Sequence, residues 1–151
     1  MSISRYCVAV FALVVAAAAP VHAQQAASSA GRIKVVSGAA FIVRDSKLIP
    51  AQIGQDVYAA DALRTGADGR IGVTLKDDTR FSLGPGSEVR LERFNFATAD
   101  GALGLALRIV RGAAAYVSGR IAKLAPDSIR LETPSAIVGV RGTTLAILVG
   151  P

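Results

Sequence analysis

Apolar and polar residues alternate in short runs from residue 32 onward, and Gly, Pro and Asp interrupt these runs at close intervals. In one run the apolar members are Ile71, Val73 and Leu75. Successive side chains of a β-strand point to opposite faces, so this period of two predicts a strand with one buried face. Asp77-Asp78 then predicts a turn, and a second alternating run at residues 80–83 completes a hairpin.

The next run combines apolar and charged positions. Its apolar members are Val89 and Leu91, and its charged members are Glu88, Arg90 and Glu92. We expect the apolar pair inside and the charged side chains outside, as a salt-bridged surface. Neighbouring arginines would lower the glutamate pKa values, which argues against a catalytic acid. After Arg93 the phase shifts by one residue, which predicts a β-bulge that turns Phe94 and Phe96 towards the core.

Residues 103–109 keep the period of two over a longer stretch. Their apolar members are Leu103, Leu105, Leu107 and Ile109. The composition of residues 102–115 would suit a helix, but a helix could not place these four side chains on one face. The pattern therefore predicts a strand.

Turn signals follow one another at intervals of roughly 8 to 12 residues. They are Thr65-Gly66-Ala67-Asp68-Gly69, Gly84-Pro85-Gly86, Asp100-Gly101, Gly112, Pro126-Asp127 and Gly139. Such spacing is typical of all-β domains and not of βαβ units. We predict an all-β fold, a single compact antiparallel β-sandwich, roll or solenoid-like domain at residues 31–151.

The first 23 residues have the pattern of a secretory signal peptide. Arg5 supplies a positive charge, Cys7 begins a run of 13 apolar residues, and Val21-His22-Ala23 offers small residues for cleavage. We predict a signal peptide helix at residues 1–23, cleavage after Ala23 and a flexible lead-in at residues 24–30. An uncleaved anchor is the alternative, but a membrane-spanning helix needs about 20 apolar residues.

The chain is basic, with 17 Lys and Arg residues against 11 Asp and Glu residues. Most basic residues stand singly, namely Arg64, Arg70, Lys76, Arg80, Arg90, Arg93, Arg108, Arg111, Arg120 and Arg130. The aromatic residues beside them, such as Phe81 and Phe94, are expected to face the core and so do not support a nucleic-acid site. The basic residues therefore predict a solvated sheet face, with a binding patch as the alternative, and no nucleic-acid partner.

Few residues offer chemistry. Cleavage after Ala23 would remove the only Cys and the only His, and with them the usual groups for nucleophilic triads and for zinc, copper or haem sites. Gly84-Pro85-Gly86-Ser87 lacks the order of a nucleophile elbow and predicts a hairpin turn. Asp77-Asp78 and Asp68 predict solvated turn acids and not a calcium site. We predict a non-enzymatic protein without catalytic residues, cofactor or metal.

A distinctive motif lies at residues 132–147. It reads Thr-Pro-x-Ala-x-x-Gly-Val-Arg-Gly-Thr, and its defining residues are Thr133, Pro134, Gly139, Arg141, Gly142 and Thr143. The other segments that share the same family pattern are residues 31–38, 54–57, 63–66 and 73–79. Together they resemble the FecR domain, and the resemblance covers about residues 31–148.

The resemblance implies an all-β extracytoplasmic domain. In the founding ferric-citrate regulators, this domain is the periplasmic part of a protein that relays the state of an outer-membrane receptor to a sigma factor. Only six residues precede the apolar N-terminal run here, so we do not expect direct sigma-factor control. We expect an exported, periplasmic FecR-like domain without a stable membrane anchor, which acts as an interaction and signalling module on an envelope protein. The alternative is an envelope structural or glycan-binding domain, which a cluster of exposed aromatic residues would favour.

The motif residues have a structural and a partner-binding interpretation. Gly139 and Gly142 bracket two residues, a spacing suited to a tight bend. Arg141 either bonds carbonyls or an inward acid, or offers its guanidinium to a partner. Thr133-Pro134 is expected at the edge or start of a strand, because Pro cannot donate to a central ladder.

The apolar run at residues 145–149 is either buried or open to strand addition, and we expect burial. Oligomeric state is not predicted.

Overall fold

The computed structural model describes residues 27–142 and 144–150. The predicted signal peptide, its cleavage point and motif residue Thr143 lie outside the described residues. Ala30, the last residue of the expected lead-in, is 2% exposed. Its amide donates to the Val57 carbonyl at 2.7 Å, so the packed fold already includes this residue.

The described residues form twelve strands, one short helix and a 3-10 turn. The strands are β1 (Gly31–Ser37), β2 (Ala40–Arg44), β3 (Lys47–Pro50), β4 (Asp56–Val57), β5 (Ala62–Thr65), β6 (Arg70–Leu75), β7 (Arg80–Leu83), β8 (Glu88–Ala97), β9 (Ala102–Val117), β10 (Ile129–Glu132), β11 (Ile137–Gly139) and β12 (Thr144–Val149). Helix α1 covers Arg120–Leu124, and the 3-10 turn covers Pro126–Ser128.

The strands form two sheets that share β9. The first sheet has the order β4-β1-β6-β7-β9-β12, and the second has the order β3-β2-β5-β8-β9-β10-β11. All pairs are antiparallel except β9 with β10. Because β9 belongs to both, the sheets form one continuous, curled surface around the core. The prediction of an all-β, mainly antiparallel fold is confirmed.

Alternate strand residues fill the core, together with Ile121 of helix α1. The largest fully buried side chains include Ile33, Ile42, Leu63, Ile71, Val73, Val89, Leu91, Leu105, Leu107, Ile121 and Leu131. Burying a side chain of this size stabilises the fold by about 1.5–3 kcal/mol relative to exposure. The predicted inward positions of β6, the first half of β8 and the first half of β9 are therefore confirmed.

The predicted hairpin of β6 and β7 is confirmed, with Val73 opposite Phe81. Its two turn acids differ in environment. Asp78 is exposed, whereas Asp77 is fully buried. The Asp77 carboxylate accepts the Thr79 amide at 3.1 Å and the Thr79 hydroxyl at 2.7 Å. The prediction of a solvated acid is wrong for Asp77, because these converging donors replace water.

The bulge in β8 is confirmed by a shift in register between Leu91 and Arg93. After it, Phe94 and Phe96 are half-buried and pack against the core. The turn predicted at Gly112 is wrong, because this residue lies inside β9. Its φ of 80° bends the strand where β9 leaves the second sheet and joins the first.

The segment from residue 84 to 87 is not the hairpin turn that was predicted. It connects β7 of the first sheet to β8 of the second, and β9 lies between these two strands. Ser87 is fully buried, so its hydroxyl is not presented to solvent.

Helix α1 was not predicted from the sequence. Its residues Ile121 and Ala122 are buried, and the Asp77 carboxylate accepts the Ile121 amide at 3.3 Å. Gly119 precedes the helix, and a Cβ there would overlap the Thr79 amide and the Asp77 carbonyl. A turn acid of one hairpin thus holds the start of the helix. No helix among the described residues is long and apolar enough to cross a membrane.

Candidate functional site

The motif begins in the turn between β10 and β11. The Thr133 amide and hydroxyl both donate to the Ala136 carbonyl, at 2.8 and 3.2 Å, and the Ala136 amide donates to the Thr133 hydroxyl at 3.1 Å. Pro134 is exposed within this turn. Thr133 and Pro134 therefore directly follow β10, and the Thr133 side chain closes the turn.

The rest of the motif carries the chain from the second sheet to the first. Gly139 ends β11 opposite Arg130. The next residue, Val140, is 3% exposed and anchors the segment in the core. Gly142 has a φ of 48° and lies shortly before β12. The positive φ at Gly142 fits the bend that the glycine spacing predicts, and this bend leads into β12.

Arg141 lies at the surface. Its Nη2 atom is 3.9 Å from Asp127 Oδ1, and the two side chains are 84% and 91% exposed. The acid that faces Arg141 is therefore in solvent and not inside the fold. An exposed pair at this distance contributes little to stability, so most of the guanidinium remains accessible.

Strand β12 is half-buried. Leu145, Ile147 and Val149 pack against the core, whereas Leu148 is 82% exposed. One edge of β12 pairs with β9, and no strand in the described part of the chain pairs with the other edge. The expectation that the apolar run is buried is right for its inner face only, because β12 is the last strand in the first sheet.

An apolar groove of about 580 Å³ runs along the outer face of the first sheet beside β12. We call it the β12 groove; its lining includes Val35, Gly72, Ser82, Ala113, Ala146 and Leu148. Small side chains form its floor, and the exposed side chains of Val35 and Leu148 form parts of its wall. Val35 lies against Gly72, where an added Cβ would come within 3.2 Å of it. The groove can therefore take apolar side chains from outside.

Basic residues border this groove. Arg70 lines it, and Lys34 and Arg80 line a smaller recess of about 180 Å³ that adjoins it through Val35 and Gly72. Among residues 27–142 and 144–150, no carboxylate forms an ion pair with any of the three cations. The border of the groove is therefore positively charged.

One ion pair between a partly buried arginine and a buried aspartate was not found from the sequence. Arg44 donates from Nε and Nη2 to the two carboxylate oxygens of Asp61, at 2.8 and 2.7 Å. The Arg44 guanidinium also lies 4.5 Å from the centre of the Tyr58 ring. The hydrogen bond to Asp61 raises the pKa of Arg44 above its usual value, and the pair joins β2 to the start of β5. No local pattern predicts this contact, because the two residues are 17 positions apart.

A second cluster surrounds Glu88. Its side chain was expected outside, but it is 6% exposed because arginines cover it. Its carboxylate lies 3.2 Å from Arg64, 3.4 Å from Arg90 and 3.9 Å from Arg111. The prediction of a salt-bridged glutamate is confirmed. Within the described ranges, no group of three or more His, Cys, Asp or Glu residues could hold a metal ion.

Comparison with known proteins gives one result of functional value. The family model described as FecR protein matches residues 61–150, which is more than half of the chain. Neither curated proteins nor solved structures give a match. The preceding strands β1 and β2 pair with β6 and β5, so they extend the same sheets. The chain belongs to the FecR protein family, a regulatory and signalling family.

Proposed function

We propose that the protein is a non-enzymatic, periplasmic FecR domain that binds an extended segment of an envelope protein along β12. The observation that carries this proposal is the edge of β12 that no described strand pairs with, next to an apolar groove. Whether the edge of β12 is bound or free would then report the availability of that partner segment in the envelope. The segment adds as a strand, and its side chains enter the β12 groove.

Strand addition requires an edge that does not repel an incoming strand. Natural edge strands are commonly protected by charged residues, Pro or bulges. Residues 144–149 contain none of these charges and no Pro, and β12 pairs with β9 without a shift in register. The backbone groups on its open edge can therefore form a regular ladder with a partner.

The groove sets the chemistry of the partner segment. An added strand places alternate side chains over the outer face, next to Ala146 and Leu148. The small floor residues favour apolar side chains there. We therefore expect a partner segment in which every second residue is apolar.

Glycan binding is the competing function. Carbohydrate sites commonly use exposed aromatic rings, whose polar tip and apolar body suit sugars. None of the described aromatic residues is exposed: Phe81 and Tyr116 are buried, and Phe41, Tyr58, Phe94 and Phe96 are half-buried. This distribution supports a protein partner.

Site-specific photocrosslinking in cells that export the full chain tests the proposal. Leu148 is replaced by p-benzoylphenylalanine, and the matched control carries the same replacement at Ile53, which is 68% exposed and does not line the β12 groove. We expect one envelope protein crosslinked from position 148 and not from position 53. Equal capture at both positions, capture of a second copy of this chain, or retention only on purified cell-wall or lipopolysaccharide fractions would overturn the proposal.

A charge placed on the outer face provides a second test. Ala146→Lys adds a cation next to the incoming strand, whereas Ile53→Lys adds one at a distant exposed position. We expect Ala146→Lys to abolish the crosslink from position 148, with a melting temperature equal to that of Ile53→Lys. A crosslink that persists in Ala146→Lys would contradict strand addition at this edge.

A further inference from the structure

Six arginines that are dispersed in the sequence lie together on the outer face of the second sheet. They are Arg64, Arg90, Arg93, Arg108, Arg111 and Arg130, and we call this surface the arginine face. The register explains their position: Leu63 opposite Val89, and Leu91 opposite Leu107, point inward, so their neighbours point outward. The sequence predicted only an ordinary solvated face.

The arginine face has a surplus of cations. Its carboxylates are those of Glu88, Glu92 and Glu132, so six arginines face three glutamates. Glu88 alone is shared by Arg64, Arg90 and Arg111. In the described part of the chain, Arg93 forms no ion pair, and its guanidinium lies over Gly104. The glutamates therefore cannot saturate the guanidinium groups.

The distances on this face leave donors unused. Its ion pairs measure 3.2–3.9 Å, compared with 2.7 and 2.8 Å for the two-pronged pair of Arg44 and Asp61. An arginine has five N–H donors, and two-pronged pairing with a carboxylate uses two of them. The face thus retains hydrogen-bond capacity for an anion.

One recess on the face joins two of these arginines to the family motif. Arg90 and Arg108 lie opposite each other on β8 and β9, and they line a recess of about 280 Å³ together with Val110, Thr133 and Pro134. Like charges directly opposite each other on a sheet destabilise it. Glu88 pairs with Arg90 at 3.4 Å, and Glu92 and Glu132 pair with Arg108 at 3.5 and 3.4 Å, so part of this repulsion is already offset. A carboxylate between the two guanidinium groups would relieve it further.

We propose that the arginine face binds an acidic protein segment and that one of its carboxylates occupies the recess between Arg90 and Arg108. The guanidinium groups are spread over β5, β8, β9 and β10. They can therefore pair with single carboxylates that are spaced along a bound segment. An extended acidic segment presents its carboxylates on one side about 7 Å apart, because each residue adds roughly 3.4 Å. A concentrated phosphate group would contact only one part of this surface.

This site differs from the β12 groove, which lies on the other sheet. Both sites occupied at once would allow the domain to bridge two envelope proteins, or two segments of one protein. The two proposals fail independently, because the crosslink from position 148 is expected to be unchanged when Arg90 and Arg108 are replaced.

Fluorescence anisotropy of the exported protein with a labelled peptide tests the proposal. The peptide has five Glu-Ser repeats, and a Gln-Ser peptide of equal length is the control. We expect binding of the Glu peptide only, at least tenfold weaker in Arg90→Gln/Arg108→Gln. The variant Arg70→Gln/Arg80→Gln removes the same charge from the other sheet and is expected to weaken binding less than twofold. Equal weakening in both variants would show a net-charge effect and overturn the site.

Two further measurements complete the test. Arg90→Lys/Arg108→Lys keeps both charges but removes both guanidinium groups. We expect this variant to bind the Glu peptide at least fivefold more weakly than the wild type, with an unchanged melting temperature. Unchanged binding in this variant would overturn the pairing of guanidinium groups with carboxylates. Tighter binding to phosphatidylglycerol vesicles than to the Glu peptide, lost in the same variants, would replace the acidic protein segment by an anionic lipid.

Discussion

Ser87 and Ala113 are joined by two hydrogen bonds in opposite directions. The Ser87 hydroxyl donates to the Ala113 carbonyl at 3.1 Å and accepts the Ala113 amide at 2.9 Å. The contact lies beside Gly112, where β9 bends from one sheet to the other, and a Cβ at Gly112 would overlap the Ser87 hydroxyl. A single buried serine therefore satisfies the backbone groups at the place where the sheets are joined.

Ser87→Ala tests the importance of this contact. Loss of the hydroxyl leaves the Ala113 amide without this acceptor, whereas the Ala113 carbonyl keeps the Gly84 amide at 2.9 Å. We therefore expect the free energy of unfolding to fall by about 1–3 kcal/mol. Ser82→Ala at an exposed position is the matched control, with an expected change within about 0.5 kcal/mol. Urea denaturation measures both. Equal effects would show that the hydroxyl does not stabilise the bend.

Much of the fold could be predicted because its determinants are local. The inward positions of Val73 and Leu91 follow from the alternation around them, and the bulge at Arg93 follows from one extra residue in that alternation. The bend at Gly142 is also a local feature, because the spacing of the glycines in the motif predicted it. These features require no knowledge of which strands become neighbours.

The remaining features depend on strand order, which no local pattern contains. Glu88 is buried because pairing places Arg64 on one side of it and Arg111 on the other. Asp77 is buried because α1 begins against its turn. The open edge of β12 likewise follows from its place beside β9 at the end of the first sheet. Long-range pairing thus decides both candidate surfaces, although alternation predicts the strands that build them.

Asp77→Asn tests the role of the buried turn acid. Its carboxylate accepts the Thr79 hydroxyl and the Ile121 amide through the same oxygen, Oδ2. An Asn amide has only one acceptor oxygen, so in either orientation its NH₂ group faces a donor that the carboxylate accepted, and we expect the free energy of unfolding to fall by about 1–3 kcal/mol. Asp78→Asn is the control, because Asn tolerates the φ of 67° at this exposed residue. A loss in Asp78→Asn as large as that in Asp77→Asn would contradict this assignment.

Gly142→Val tests whether the motif requires a left-handed residue before β12. Apart from its two chain neighbours, no described residue has an atom within 4 Å of an added Cβ at Gly142, so the expected cost comes from its φ of 48° and not from a clash. A residue other than Gly in this region costs about 1–2 kcal/mol, and a β-branched residue tolerates it poorly. Gly139→Val is the control, since Gly139 also has open space but no positive φ. We expect thermal unfolding to shift downward for Gly142→Val alone; a similar shift in both variants would locate the effect elsewhere.

The burial of Tyr116 makes the free energy of unfolding depend on pH in the alkaline range. Its side chain is 2% exposed, and burial raises its pKa above the usual value, although the Ser118 and Thr79 hydroxyls act in the opposite direction. The native state therefore keeps this proton at a pH where the unfolded chain has lost it. The associated stability is complete below about pH 10, the ordinary tyrosine pKa, and is lost as the pH rises through the native pKa. Urea denaturation measures how far the free energy of unfolding falls between pH 8 and pH 10.5. We expect a smaller fall for Tyr116→Phe than for the wild type, whereas Tyr58→Phe should show the wild-type fall. An equal decrease in all three proteins would mean that Tyr116 ionises in the native state as readily as in the unfolded chain.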